Sequence, residues 1–305
     1  MRLRPFHLRP HARAAAPAAV CAFALALAWL GCGMVGLVGC SSKGSQAPNA
    51  KSPEAQSDAE YDLARDLFQK GKVREALDHA RKAVALSEDN DKAHYMEAAI
   101  LLSFCSTNRG LDAPDCKLVD VEKALRRALE VNPDFRDAKN TLGSVLVNEH
   151  KYKDAIAVLE PLTKDPAYVQ SYLAWGNLGW AQLEDGQVDP AITSLKNAIA
   201  SEPRFCVGHF RLGGALERKG DLAGAEESLS SAVTADPGCA ELQDAWEARG
   251  RVRTKLNKLP DARQDYAKCV EISKETATGK RCVREIGKLP AASEIAVNPN
   301  DARKT

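Results

Sequence analysis

The residues of this chain with the most chemistry in them are its nine cysteines, Cys21, Cys32, Cys40, Cys105, Cys116, Cys206, Cys239, Cys269 and Cys282. A thiol can act as a nucleophile, a metal ligand or half of a disulfide, and the redox compartment decides among these. The histidines beyond the first forty residues, His79, His94, His150 and His209, are scattered and read as packing or surface residues. No phosphate-cradling Gly-rich loop, no His-Glu-x-x-His pair and no Gly-x-Ser-x-Gly elbow occurs. Carboxylates such as Asp134, Asp137 and Glu226-Glu227 read as solvated helix faces. The expectation is therefore no catalytic residue, no enzyme, no cofactor and no metal. A net charge of +1 over 305 residues also argues against nucleic acid, which demands a cationic surplus to displace counterions.

The start of the chain sets the compartment. Arg2, Arg4, Arg9 and Arg13 precede a stretch from Ala14 to Ser42 without any charge, the pattern of a secretory signal. It ends in Leu37-Val38-Gly39-Cys40, which resembles the lipobox of bacterial lipoproteins. That resemblance implies cleavage after residue 39 and lipidation of Cys40, with palmitate among the acyl chains. Ser41, rather than Asp, after the lipidated cysteine implies the periplasmic face of the outer membrane. Two or more acyl chains make a stable anchor. The alternatives are an uncleaved membrane helix and cleavage before Cys32, a weaker candidate because Trp29 stands where an aliphatic residue is expected. Residues 40–56, rich in Ser, Gln, Ala and Pro, read as a flexible lipidated tether.

In an oxidising periplasm the six remaining cysteines can form three disulfides, with fifteen possible connectivities. The sequential set is favoured: Cys105–Cys116, Cys206–Cys239 and Cys269–Cys282. The middle pair is the least secure, because equivalent positions of stacked repeats lie about 9–10 Å apart, beyond the roughly 4.4–6.8 Å that a disulfide spans between Cα atoms. A metal set of Cys206, His209 and Cys239 has too few ligands.

The elements that must position these residues form a repeat. Ala191, Leu195, Ala198 and Pro203 recur 34 residues later as Ala225, Leu229, Ala232 and Pro237. Trp175, Leu178 and Gly179 give a Trp-x-x-Leu-Gly signature, echoed in part by Leu142-Gly143, Leu212-Gly213 and Trp246 with Gly250. Period and signature resemble the tetratricopeptide repeat. The resemblance implies an all-α, right-handed superhelical solenoid of about six helix-turn-helix units over residues 57–288, starting near 57, 91, 136, 172, 206 and 243. Gly71, Gly186 and Gly220 would occupy left-handed turns within the units. About eleven extra residues, roughly Cys105 to Lys117, interrupt the second unit. A helix near Arg281–Lys288 would cap the stack, and residues 289–305 form a frayed tail.

The concave face of such a solenoid is built from the second, fifth, ninth and twelfth positions of each first helix. This register picks Tyr61, Phe68, Tyr95, Leu102, Asn140, Ser144, Val147, Leu173, Trp180, Leu183, Val207 and Phe210 as a partner-binding groove, some of which could instead complete the core. Arg65 and Arg218 are not arranged as a pair, so an apolar segment is expected rather than an acidic tail.

A lipobox followed by six such repeats resembles the pilotins of type IV pilus secretins, the PilF/PilW/Tgl family. The resemblance implies an outer-membrane lipoprotein that binds secretin subunits, promotes their localisation and multimerisation, and supports pilus biogenesis and twitching or social gliding motility. The inserted loop and extra cysteines depart from the cysteine-poor PilF pattern and are closer to Tgl. The alternative is a scaffold or adaptor lipoprotein of another envelope machine, for outer-membrane protein assembly or peptidoglycan enzymes.

Overall fold

The computed structural model describes residues 52–105, 111 and 113–290. Cys40, the leader, most of the tether and the tail beyond residue 290 lie outside the described residues, so the expectations placed on them stay expectations.

Among the described residues thirteen α-helices follow one another and there is no strand: α1 Pro53–Gln69, α2 Val73–Leu86, α3 Asp91–Phe104, α4 Leu118–Val131, α5 Arg136–Asn148, α6 Tyr152–Thr163, α7 Ser171–Glu184, α8 Val188–Ser201, α9 Cys206–Lys219, α10 Leu222–Thr234, α11 Gln243–Lys255, α12 Leu259–Ile272 and α13 Ala277–Lys288. The first twelve form six antiparallel pairs and α13 closes the end. One boundary is corrected. Residues 53–56 belong to α1 and not to the tether, because Ser52 Oγ accepts the Ala55 amide at 3.3 Å and Pro53 stands at the first helical position.

Each pair is held by small residues where the helices cross. A Cβ on Gly143, Gly179 or Gly213 would lie 2.4–2.6 Å from Leu159, Leu195 or Leu229, sixteen residues on, so the leucine occupies the space that the glycine leaves. In the sixth pair Gly250 faces Tyr266 in the same way. The positions equivalent to Ala191 and Ala198 are buried in the second helix of every unit: Ala76 and Ala83, Val121 and Ala128, Ala155 and Leu162, Ala191 and Ala198, Ala225 and Ala232, Ala262 and Cys269. Gly71, Gly186 and Gly220 take φ of +74°, +83° and +89° in the turns within pairs. His150 and Asn257 serve the third and sixth pairs with φ of 61° and 60°.

Odd-numbered helices touch the next odd-numbered helix at α1–α3, α5–α7, α7–α9, α9–α11 and α11–α13, with no comparable contact between successive even-numbered helices. The odd helices therefore form the inner, more tightly curved wall of the array.

Three disulfides join Cys105 to Cys116, Cys206 to Cys239, and Cys269 to Cys282. The middle pair reaches a Cα separation of 5.4 Å because Cys239 is not at a stacked helical position. It sits on a 3-10 turn, Pro237–Glu241, inserted between α10 and α11, which folds back towards the N-terminus of α9. The bond occupies both sulfurs of the candidate metal set, and no His/Cys/Asp/Glu group among the described residues is arranged to hold a metal ion.

Candidate binding groove

The inner wall carries the expected groove residues, but not all of them face open space. Tyr95, Leu102, Asn140 and Val147 are buried, and this corrects the expectation that the whole register lines a groove; Leu183 is buried too, but at the wall of the cleft described below. Neighbouring inner helices approach closely enough to cover these positions. The Tyr95 ring lies 4.8 Å from Phe135. Leu102 and Val147 join the same apolar cluster, and Asn140 Oδ1 accepts from Asn177 Nδ2 at 2.9 Å. Tyr61, Phe68, Ser144, Leu173, Trp180, Val207 and Phe210 remain half-buried. Tyr61 and Phe68 pack on the core of the first pair, and Arg65 lies over the Tyr61 ring at 5.5 Å.

The register opens into a cleft of about 250 Å³ between α7 and α9. Trp180, Leu183, Phe210 and Gly214 contribute its apolar walls, and Glu184, Glu217, Arg218 and Arg251 its charged groups. Arg211, only 8% exposed, lies at its base. Its Nη1 donates to Gly176 O at 3.0 Å and Asn177 Oδ1 at 2.9 Å, and its guanidinium stacks over Trp180 at 4.4 Å. With the Asn177–Asn140 bond this makes a polar relay across α9, α7 and α5. Burial pulls the Arg211 guanidinium down to about 9, so it stays cationic at neutral pH.

The charged groups around the cleft are matched among themselves. Arg218 binds Glu184 at 2.9 Å and Leu183 O at 2.6 Å. Arg251 grips Glu217 through two nitrogens at 2.8 and 3.1 Å and reaches Glu247 at 2.8 Å, while Lys255 adds 2.8 Å to Glu217. The hydrogen bonds that Arg251 donates to Glu217 push its guanidinium above its ordinary value. Burial raises the Glu217 carboxyl, but Arg251 and Lys255 outweigh it and the net direction is down.

Sequence reasoning missed Arg211, Arg251 and the charged interior of the sixth unit. In α11, Arg249 stands where Leu142, Leu178 and Leu212 stand in other units, and it pairs with buried Asp265 at 2.7 and 3.1 Å. Arg253 ties the same carboxylate to Glu226 at 3.0 Å each. The signal was legible as a broken Leu-Gly pattern at Arg249. Arg211 had no such signal, since its repeat position is occupied by Asn177, Thr141 and Met96 elsewhere. The histidines do not converge: His79 meets Glu60, His94 meets Glu88 O at 2.9 Å, His150 meets Tyr152 at 2.6 Å and His209 meets Pro203 O at 2.9 Å.

The tetratricopeptide repeat family matches at residues 61–104, 140–203 and 177–239. No curated protein matches the sequence. Among solved structures, PilW, described as a widely conserved type IV pilus biogenesis factor, superposes with a TM-score of 0.61 at 19% identity, over 74% of this chain and 98% of that one. PilF of Pseudomonas aeruginosa gives 0.58 at 15% identity, over 77% and 100%. A tetratricopeptide repeat protein of Parabacteroides merdae gives 0.60 at 15% identity, over 76% and 84%. The fold is the all-α superhelical array that the repeats imply, and in fold the chain resembles the PilF/PilW family.

Proposed function

We propose, from an array with the fold of tetratricopeptide-repeat pilus-biogenesis proteins, that this chain acts in type IV pilus biogenesis as a lipid-anchored protein that binds secretin subunits at the outer membrane and promotes their localisation and multimerisation. The observation that carries the reading is the extent of the likeness, since the repeat array reproduces 98% of the PilW chain and all of the PilF chain rather than a generic pair of repeats. The Leu37-Val38-Gly39-Cys40 lipobox supports the anchor, and an open cleft walled by Trp180 and Phe210 supports protein binding without catalysis. An array of this kind promotes assembly by holding subunits at high effective concentration beside the membrane. The groove shields an apolar segment of the secretin monomer until insertion.

The reading is tested in the native host by scoring secretin multimers on gels and twitching motility. Deletion abolishes both, and Trp180→Ala with Phe210→Ala reproduces the deletion while the protein stays abundant. Cys40→Ala displaces the protein from outer-membrane fractions. Unchanged multimers in the deletion strain overturn the pilus reading and direct attention to barrel-assembly or cell-wall machines.

A further inference from the structure

Resting on the groove reading above, we propose that the cleft between α7 and α9 is an acid-selective peptide subsite. An apolar side chain of the partner packs against Trp180 and Phe210, and an adjacent Asp or Glu carboxylate of the same segment meets the Arg211 guanidinium.

The argument begins with charge. Arg211 is more than nine-tenths buried, yet no carboxylate among the described residues pairs with it. Its partners are a backbone carbonyl and a neutral amide oxygen, both met by Nη1, and neither Nε nor Nη2 donates a hydrogen bond among the described residues. Burying a cation without an opposite charge is costly, and natural structures generally pair such groups. The carboxylates on the same cleft do not supply the missing charge, because Glu217 is engaged by Arg251 and Lys255, and Glu184 by Arg218.

Geometry adds to this. Gly176 O and Asn177 Oδ1 hold one corner of the guanidinium, whose central carbon lies over the Trp180 ring, 4.4 Å from its centroid. A planar fork held in that way is preorganised for a carboxylate, which it can receive on two parallel donors. The Asn177–Asn140 bond at 2.9 Å sets the direction of the relay, so that Asn177 offers its oxygen to Arg211. The apolar walls lie beside the charge rather than apart from it, since Trp180 belongs to both. A short acidic-apolar motif therefore fits the cleft better than the wholly apolar segment expected from sequence.

The test pans full-chain protein in detergent micelles against a random heptapeptide library, then measures selected peptides by fluorescence anisotropy beside their acid-to-amide counterparts. The expected result is enrichment of Asp or Glu next to an aromatic or aliphatic residue, with about a tenfold weaker Kd on changing the acid to its amide. Arg211→Gln abolishes that difference while the amide peptide binds as before, Arg211→Lys keeps part of it, and added salt narrows it in the native protein. Trp180→Ala weakens both peptides. Circular dichroism confirms that each variant is folded, and the salt titration reads the same interaction if Arg211→Gln is not. Absence of acid enrichment, an acid-to-amide change of less than twofold, or discrimination that survives Arg211→Gln overturns the proposal. So does selection of no peptide at all. In each case loss of secretin multimers in Trp180→Ala with Phe210→Ala leaves the groove reading standing.

Discussion

At the scale of single residues, stability is most sensitive where charge is covered. Glu122 accepts Lys151 at 2.6 Å and Arg126 at 2.7 Å, while Glu149 shares Lys151 at 3.0 Å and leaves its other oxygen buried without a partner among the described residues. Burial raises both carboxyls, but the hydrogen bonds from Lys151 and Arg126 hold Glu122 well below its ordinary range, while burial prevails at Glu149. The Glu122 contribution is thus present above the unfolded carboxylate value and lost as pH falls through the folded one; for Glu149 the stabilisation belongs to the acid side and disappears as pH rises. Urea unfolding at pH 7 should show Glu122→Gln destabilised by about 1 kcal/mol and Glu149→Gln unchanged or slightly stabilised, with the Glu122 penalty shrinking from pH 5 towards pH 2. Asp265 presents a sharper case, because it is 1% exposed and answers both Arg249 and Arg253. Asp265→Ala should cost about 3–5 kcal/mol, and the double variant Arg249→Met with Asp265→Leu should recover a substantial part of the loss in the same assay. The broken Leu-Gly signature at Arg249 was a sign that the sequence reading passed over, whereas nothing local to Asp265 announced its partner.

At the scale of elements, the third to fifth pairs close on a glycine of the first helix and a leucine sixteen residues later on the second. Gly179→Ala places a methyl where Leu195 already sits, 2.6 Å away, and should lower stability by about 1–3 kcal/mol with a matching drop in the denaturation midpoint. Gly214→Ala meets nothing within 4 Å and is its control. The last element is tied differently. Cys269 takes the place of the small anchor of α12 and bonds to Cys282 on α13, which otherwise packs only on the end of the stack. Replacing both cysteines by Ala should raise amide exchange in residues 277–288 without equal change in α1–α10; the global cost is at most about 3 kcal/mol. These elements were readable because period, anchors and turn glycines are local. The turn residues His150 and Asn257 were not, since neither carries the glycine signature.

At the scale of the whole molecule, the apolar interior is not one core. One large cluster runs from Tyr95 through Ala181 and a second from Leu183 through Val252, so the array changes core within α7. Contacts that reach only neighbouring units allow a solenoid to lose one end while the other stays folded. Leu229→Ala, which empties the centre of the second cluster, should split the denaturant transition in two, with Trp246 fluorescence changing before the helical signal of the first three pairs is lost. A single coincident transition would show instead that α7 couples the two halves. The cleft lies beside this seam, where Trp180 packs on the first cluster and Leu183 and Phe210 on the second.

The amino-acid sequence by itself determined the helical repeat, its six units, the inserted loop, the anchors and the close-packed glycines, because each is set by spacing within about one period. Tertiary structure decided which half of the inner register stays open, how a 3-10 turn brings Cys239 to Cys206, and that Arg211 lies buried beside Trp180 without a carboxylate. Those outcomes depend on how closely one unit approaches the next, and residues 34 or 35 positions apart meet there without any pattern in the chain that marks them as neighbours.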